Sequence, residues 1–205
     1  DVTRALREKP DSSVAVCARL VRDGEADGFV SAGSTGAAMA VATLILGRLS
    51  GVLRPTLASV LPTFGSPTIV LDSGANPDVK PVHLLQFAEM GVALSQVYFG
   101  VENPRVGLLN IGEEKGKGRQ LEKAAYGLLD AAGFDFVGNV EGRDVARDAA
   151  DVIVTDGFTG NVFLKTMEGV AGLVTGLVAQ ALADCSDATR QEVGERLAPI
   201  SRQMD

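Results

Sequence analysis

The strongest constraint on this chain is a rhythm. Short apolar runs rich in β-branched residues alternate with helix-length segments, and most runs end in a Gly-, Asn- or Asp-bearing turn that opens a helix. That alternation is the pattern of βαβ units around a largely parallel or mixed sheet, so an α/β fold is expected. Strands are expected at residues 28–31, 57–61, 68–71, 106–110, 136–138 and 152–155. Helices are expected at 13–22, 35–48, 81–98, 119–132, 162–183 and 189–204. The segment 35–46 is apolar nearly all round, which predicts burial on most of its sides. No repeat, linker or low-complexity stretch interrupts the pattern. One compact domain over 1–205 is therefore expected, with 162–205 as a helical protrusion.

Composition narrows the function classes. With 205 residues, 46% of them apolar and 22% charged, the chain can bury one sizeable core. The longest uncharged stretch, 169–183, falls short of the roughly 20 apolar residues a membrane span requires, so no span is expected. The start Asp1-Val2-Thr3-Arg4 lacks the basic and apolar regions of a signal peptide, and the natural N-terminus is expected upstream. Cys17 and Cys185 lie far apart without metal-like spacing, which reads as two inert thiols in a reducing cytoplasm. A formal charge of −7 without a basic block argues against nucleic acid. An anionic partner must find a local basic patch.

Four turns carry the polar chemistry. In open α/β sheets, ligands bind at the carboxyl ends of the strands. The turn 31–36 (Ser-Ala-Gly-Ser-Thr-Gly) leads into a helix, and Ser34, Thr35 and Gly36 fit either an anion site at a helix mouth or a simple capped turn. The stretch 72–83 holds Asp72, Asn76, Lys80 and His83. Pro81 suits the first helical position, and the sole histidine reads first as a capping or surface group.

The stretch 112–119 resembles a nucleotide phosphate loop only superficially. Three residues rather than four separate its first Gly from the Gly-Lys pair, and no Ser or Thr follows, which excludes that motif. What remains is a glycine-flanked Lys117 within a cationic group of Lys115, Arg119 and Lys123. The last turn, 156–161, brings Asp156, Thr159, Gly160 and Asn161 to a helix start, with Asn161 read locally as an N-cap. A cysteine-nucleophile route is not expected, because neither thiol has a recognisable histidine partner.

Several of these segments together resemble one family. Residues 31–37, Asp72 to Asn76 with Lys80, Pro81 and His83, the run 107–110 ending in Asn110, 138–141, and 154–161 are similar to the acyl carrier protein:phosphate acyltransferases (PlsX) of bacterial phospholipid synthesis. The resemblance runs up to Thr166; beyond it the chain matches only as a helical region. The family's N-terminal strand with its Asp-rich signature and its C-terminal Gly-rich segment have no counterpart, so the chain is expected to be a fragment. Ser34 stands where the family usually carries Asn, and Arg119-Gln120 where it tends to have Asn-Glu.

The resemblance implies a three-layer α/β/α sandwich related to phosphotransacetylases and isocitrate-type dehydrogenases, acting as a homodimer without metal or cofactor. It implies Lys117 and Asn161 as catalytic residues. Ser34, Thr35, Gly36, Asp72, Asn76, Lys80, His83, Asn110, Asp156, Thr159 and Gly160 follow as substrate-binding residues. Inorganic phosphate would attack the thioester of an acyl carrier protein docked on Lys115, Arg119 and Lys123. The family's peripheral membrane contact and hand-over to a membrane acyltransferase come with it. The rivals are a phosphotransacetylase acting on a coenzyme A thioester and a non-catalytic scaffold of lipid metabolism.

Overall fold

The computed structural model describes residues 8–201, and the chain falls into two compact units, 1–55 and 56–205. In the first unit, α1 (Ser13–Arg22) is amphipathic and buries Ala15 and Ala18. It packs on α2 (Thr35–Val41) and on the π-helical turn Ala42–Leu46 that follows. The fully apolar segment 35–46 is not buried as its pattern predicts. Only Val41 is enclosed, and Leu44 is 59% exposed. An all-round apolar helix needs neighbours on every side, and within its unit α1 covers one.

Residues 28–31 do not form the expected strand. Val30 stands 98% exposed. A β-branched pattern supplies propensity, but a strand exists only where a second strand completes its hydrogen bonds.

The second unit is built on a five-stranded mixed sheet in the order β1-β2-β5-β3-β4. The strands are β1 (Ala58–Leu61), β2 (Thr68–Leu71), β3 (Arg105–Asn110), β4 (Asp135–Glu141) and β5 (Val152–Val154). β1 runs antiparallel to β2, and the other pairs are parallel. The three central strands are apolar on both sides, as strands covered on two faces must be. Ile69, Leu71, Val106, Leu108, Val152 and Val154 face one cluster, completed by Leu84, Phe87 and Ala88 of α3 (Pro81–Phe99) and Ala125 and Leu129 of α4 (Gln120–Asp130). Val70, Leu109 and Ile153 face the other, with Val145 and Ala150, against Phe163 and Leu164 of α5 (Gly157–Leu182). The result is the expected three layers, helix on sheet on helix. A clamp at their amino ends holds β3 to β5: Arg105 donates to Asp151 Oδ1 at 3.0 Å and to Asp148 Oδ1 at 2.8 Å.

α5 starts at Gly157, five residues before its expected start at 162, so residues 159–161 sit in its first turn rather than in a loop. Asn161 is therefore not the N-cap; Asp156 is, its side chain accepting from Thr159 N–H. The helix is 26 residues long and, by length and composition alone, apolar enough to cross a membrane, although the uncharged stretch 169–183 was too short to suggest it. Lys165 and Glu168, paired at 2.7 Å, interrupt its apolar character. Val170, Leu173, Val174 and Leu177 are each more than half exposed. α6 (Asp187–Ser201) follows, and the expected extension from there to 204 lies outside the described residues.

α3 lies flat on the sheet because Gly91 has no side chain. A Cβ there would come within 2.4 Å of Val152 Cγ1 and 2.8 Å of Leu71 Cδ1. Gly91→Ala would gain about 1 kcal/mol of helix propensity, yet overpacking against stiff, buried partners costs about 1–3 kcal/mol. Urea unfolding is expected to show a net loss of stability; a gain would mean that the helix can lift away freely.

Candidate active site

Because β2, β3, β4 and β5 are parallel, their carboxyl ends share one rim. The loops leaving β2, β3 and β5 carry most of the polar residues singled out by sequence.

The loop after β2 is shaped by one buried carboxylate. Asp72 Oδ1 accepts from the N–H groups of Leu57 (3.2 Å), Gly74 (3.1 Å) and Ala75 (2.9 Å), and Oδ2 from the N–H (2.7 Å) and side-chain amide (2.8 Å) of Asn76. Five donors occupy the acceptor capacity of a carboxylate, so Asp72 and Asn76 hold the turn itself. His83 is buried, and its Nδ1 accepts from Lys80 N–H at 3.1 Å at the start of α3, which is the capping role. Lys80 is exposed.

The loop after β5 is pressed against this turn. Gly157 N–H donates to Asn76 O at 2.8 Å. A Cβ on Gly160 would lie 1.9 Å from Asp72 O, and one on Gly157 would meet the Asn76 backbone at 2.7–2.9 Å. Backbone meets backbone here. Asn161, exposed on the first turn of α5, reaches Ser73 O at 3.4 Å, and a Cβ on Gly74 would strike its amide nitrogen at 2.6 Å. The first N–H groups of α5 are occupied internally: Thr159 N–H goes to Asp156 Oδ1 (2.8 Å) and Gly160 N–H to Asp156 O (2.9 Å). An anion at this helix mouth would thus meet side chains before free backbone donors.

The loop after β3 presents Lys117. Asn139, buried on β4, donates to Glu114 O at 2.8 Å and accepts from Asn110 Nδ2 at 3.0 Å; the Asn110 amide also donates to Lys117 O at 3.2 Å. The loop is thereby fixed from below while the Lys117 side chain stays half exposed, 3.6 Å from Glu114. Its cationic neighbours differ in availability. Lys115 pairs with Asp130 at 3.0 Å and lies over the Tyr126 ring, whereas Lys123 is exposed.

Arg119 joins the two loops. Its guanidinium donates through Nε to Glu122 Oε1 at 3.0 Å and through Nη2 to both Glu122 Oε1 and Asp156 Oδ2. Burial pulls the Asp156 pKa upward. The Thr159 N–H, the Arg119 guanidinium and the Thr159 hydroxyl outweigh it and hold the carboxyl below its ordinary 3.8. Glu122 is likewise pushed up by burial and held down overall by the Arg119 side chain and by backbone N–H groups.

Beside this rim lies a groove of about 310 Å³ lined by Leu109, Asn110, Gly142, Phe158, Thr159, Val162 and Phe163. Among the described residues, no three His, Cys, Asp or Glu side chains gather as a metal site would. In the first unit, Ser34 Oγ accepts from Ala37 N–H at 3.4 Å, and Thr35 and Gly36 open a helix of only seven residues.

Comparison with known proteins adds the family. The sequence model described as "Fatty acid synthesis protein" matches residues 1–191. The chain belongs to that family. A phosphate acyltransferase of Desulfitobacterium hafniense (strain DSM 10664 / DCB-2) is 53% identical over 180 residues, covering 87% of this chain and 54% of that protein. One from Desulforamulus reducens is 46% identical over 202 residues, covering 98% of this chain and 61% of that protein. The chain thus spans about half the length of the curated relatives it matches. The EutD phosphotransacetylase from Staphylococcus aureus has the same fold, with a TM-score of 0.58 at 20% identity, covering 83% of this chain and 63% of that one.

Sequence reasoning missed Glu122 and Ser73. Glu122 stands three residues after Arg119 and was signalled by that spacing alone; Ser73 acts through its carbonyl, which no residue type announces.

Gly160 tests whether the contact between the loops is required. Gly160→Ala is expected to destabilise at or above the upper end of the usual overpacking range of about 1–3 kcal/mol, because the clash is with a carbonyl rather than a movable side chain. An unchanged urea midpoint would show that the two backbones are not held together.

Proposed function

We propose that this chain is the central part of a cytoplasmic enzyme that transfers a long-chain acyl group from acyl carrier protein to inorganic phosphate, feeding phosphatidic acid synthesis. The observation that carries this reading is the tie between the Lys117 loop and the first turn of α5, where Asn161 sits. It occurs in a chain about half identical to proteins named phosphate acyltransferase.

The chemistry fits these groups. A phosphate oxygen attacks the thioester carbonyl carbon, and the carbonyl π pair moves onto oxygen. Collapse of that intermediate reforms the carbonyl, breaks the C–S bond and releases the carrier thiolate, which takes a proton from water. A thiol with a pKa near 8.5 leaves without strong acid help. The demanding tasks are holding a hydrated dianion against the thioester and stabilising the oxyanion. Lys117 supplies the cation, and the Asn161 amide the hydrogen bond. The apolar groove beside Asn110 and Thr159 receives the start of the acyl chain. Asp72, Asn76, His83 and Asp156 build the loops that present these groups, while Lys80, Lys115 and Lys123 offer positive charge to phosphate or to the acidic carrier.

Trapping acyl phosphate with hydroxylamine, using full-length protein, long-chain acyl carrier protein and phosphate, tests the reaction. Lys117→Ala and Asn161→Ala are each expected to lower turnover on the order of 100-fold to 1000-fold with unchanged unfolding midpoints. Wild-type rates in both variants would remove the site assignment. A coenzyme A thioester run in parallel decides the carrier: faster turnover on it would make the enzyme a phosphotransacetylase.

The exposed apolar face of α5 serves packing against a second subunit, since it lacks the basic face of an interfacial helix. Leu177→Asp is expected to halve the sedimenting mass and leave vesicle flotation unaltered. Lost flotation at constant mass would assign the face to lipid, the contact through which a product could pass to a membrane acyltransferase.

A further inference from the structure

We infer that Arg119 is a positioning residue for the proposed acyl transfer, setting Lys117 against Asn161, and not a docking contact for the carrier. The inference rests on the acyl-transfer reading above, because only that reading makes both neighbours catalytic. Arg119 stands two residues after Lys117, and Asp156 five residues before Asn161. A single guanidinium spans from one segment to the other, with Glu122 on the near side and Asp156 on the far side.

Both carboxylates are buried: Glu122 is 7% and Asp156 2% exposed. The Arg119 side chain is 60% exposed, but removing it would leave two buried carboxylates without their cation, which is costly. The remaining lone pairs are filled by protein donors. Asp156 also takes the N–H and hydroxyl of Thr159, at 2.8 and 2.9 Å, and Glu122 takes the Arg119 N–H at 2.6 Å. Nε and Nη2 of Arg119 thus meet both Glu122 oxygens and Asp156 Oδ2, a spread of donors that a point charge could not match. A carrier-docking arginine would keep its donors for an external carboxylate; this one spends Nε and Nη2 inside the chain.

The consequence is positional. The loop 111–118 is otherwise anchored to β3 and β4 through Asn110 and Asn139 and to α4 through Lys115, and none of these anchors refers to α5. Arg119 supplies the reference.

The test compares Arg119→Ala, Arg119→Lys and Asp156→Asn in the full-length enzyme, after wild type has shown acyl phosphate formation. If wild type forms none, the acyl-transfer reading fails by itself, and the variants are not needed to show it. For Arg119→Ala, kcat is expected to fall on the order of 100-fold, as when reacting groups are misplaced by about 1 Å. The carrier KM and its dependence on salt should stay at wild-type values. Arg119→Lys should recover only part of the rate, and millimolar guanidinium should restore part of it to Arg119→Ala. Asp156→Asn keeps an acceptor for Thr159 and removes the charge. It should lower kcat similarly, and the double variant should be no worse than either single one.

Wild-type kcat with a raised, salt-insensitive carrier KM would make Arg119 a docking residue. A lower kcat accompanied by a lower unfolding midpoint, with no guanidinium rescue and additive losses in the double variant, would make it merely structural. Either result overturns the inference. If Arg119→Ala does not fold, Asp156→Asn and Arg119→Lys carry the same comparison.

Discussion

The candidate site depends on a place where two backbones touch. The first turn of α5 can lie against the loop after β2 only because Gly157 and Gly160 carry no side chain, and Gly157 N–H then bonds to Asn76 O. Side-chain contacts tolerate rotamer changes, but backbone contacts do not. The relation between the two loops is therefore set by the main chain, and the Asp72 carboxylate maintains it by binding every free N–H of its turn. Polar residues at the rim inherit their positions from that contact.

Charge does the second part of the work. On an acidic protein a cluster of lysines and arginines looks like a single basic patch, yet the side chains divide by what they already hold. Lys115 is paired with Asp130, Arg119 with two buried carboxylates, and Lys117 only loosely with Glu114. Of these three, Lys117 has the weakest internal commitment, and it is the one flanked by glycines. Electrostatic preorganisation of this kind, with fixed charges around one less constrained cation, is what a reaction that develops negative charge needs.

Much of the second unit was legible in the sequence because its signals are local and periodic. The strands at 68–71, 106–110 and 152–155 are short β-branched runs between turns, and the sheet reproduces them to within a residue. Residues 28–31 carry the same signal without becoming a strand, since pairing is a property of two segments and one segment cannot announce it. The start of α5 was hidden for a different reason. Gly157 and Gly160 read as turn formers, and only the proximity of Asp72 O explains why a helix would tolerate both. The resemblance could name candidate site residues, whereas the division of labour among Asp72, His83, Arg119 and Asp156 depended on which hydrogen bonds each had already made.

α5 has one further property that follows from its length. Twenty-six residues at about 1.5 Å each make a rod near 40 Å long, with Asn161 one turn from one end and an uncovered apolar face towards the other. The uncovered apolar face and the Asn161 amide therefore lie on one unbroken helix, whose near end is held by the Asp72–Asn76 turn.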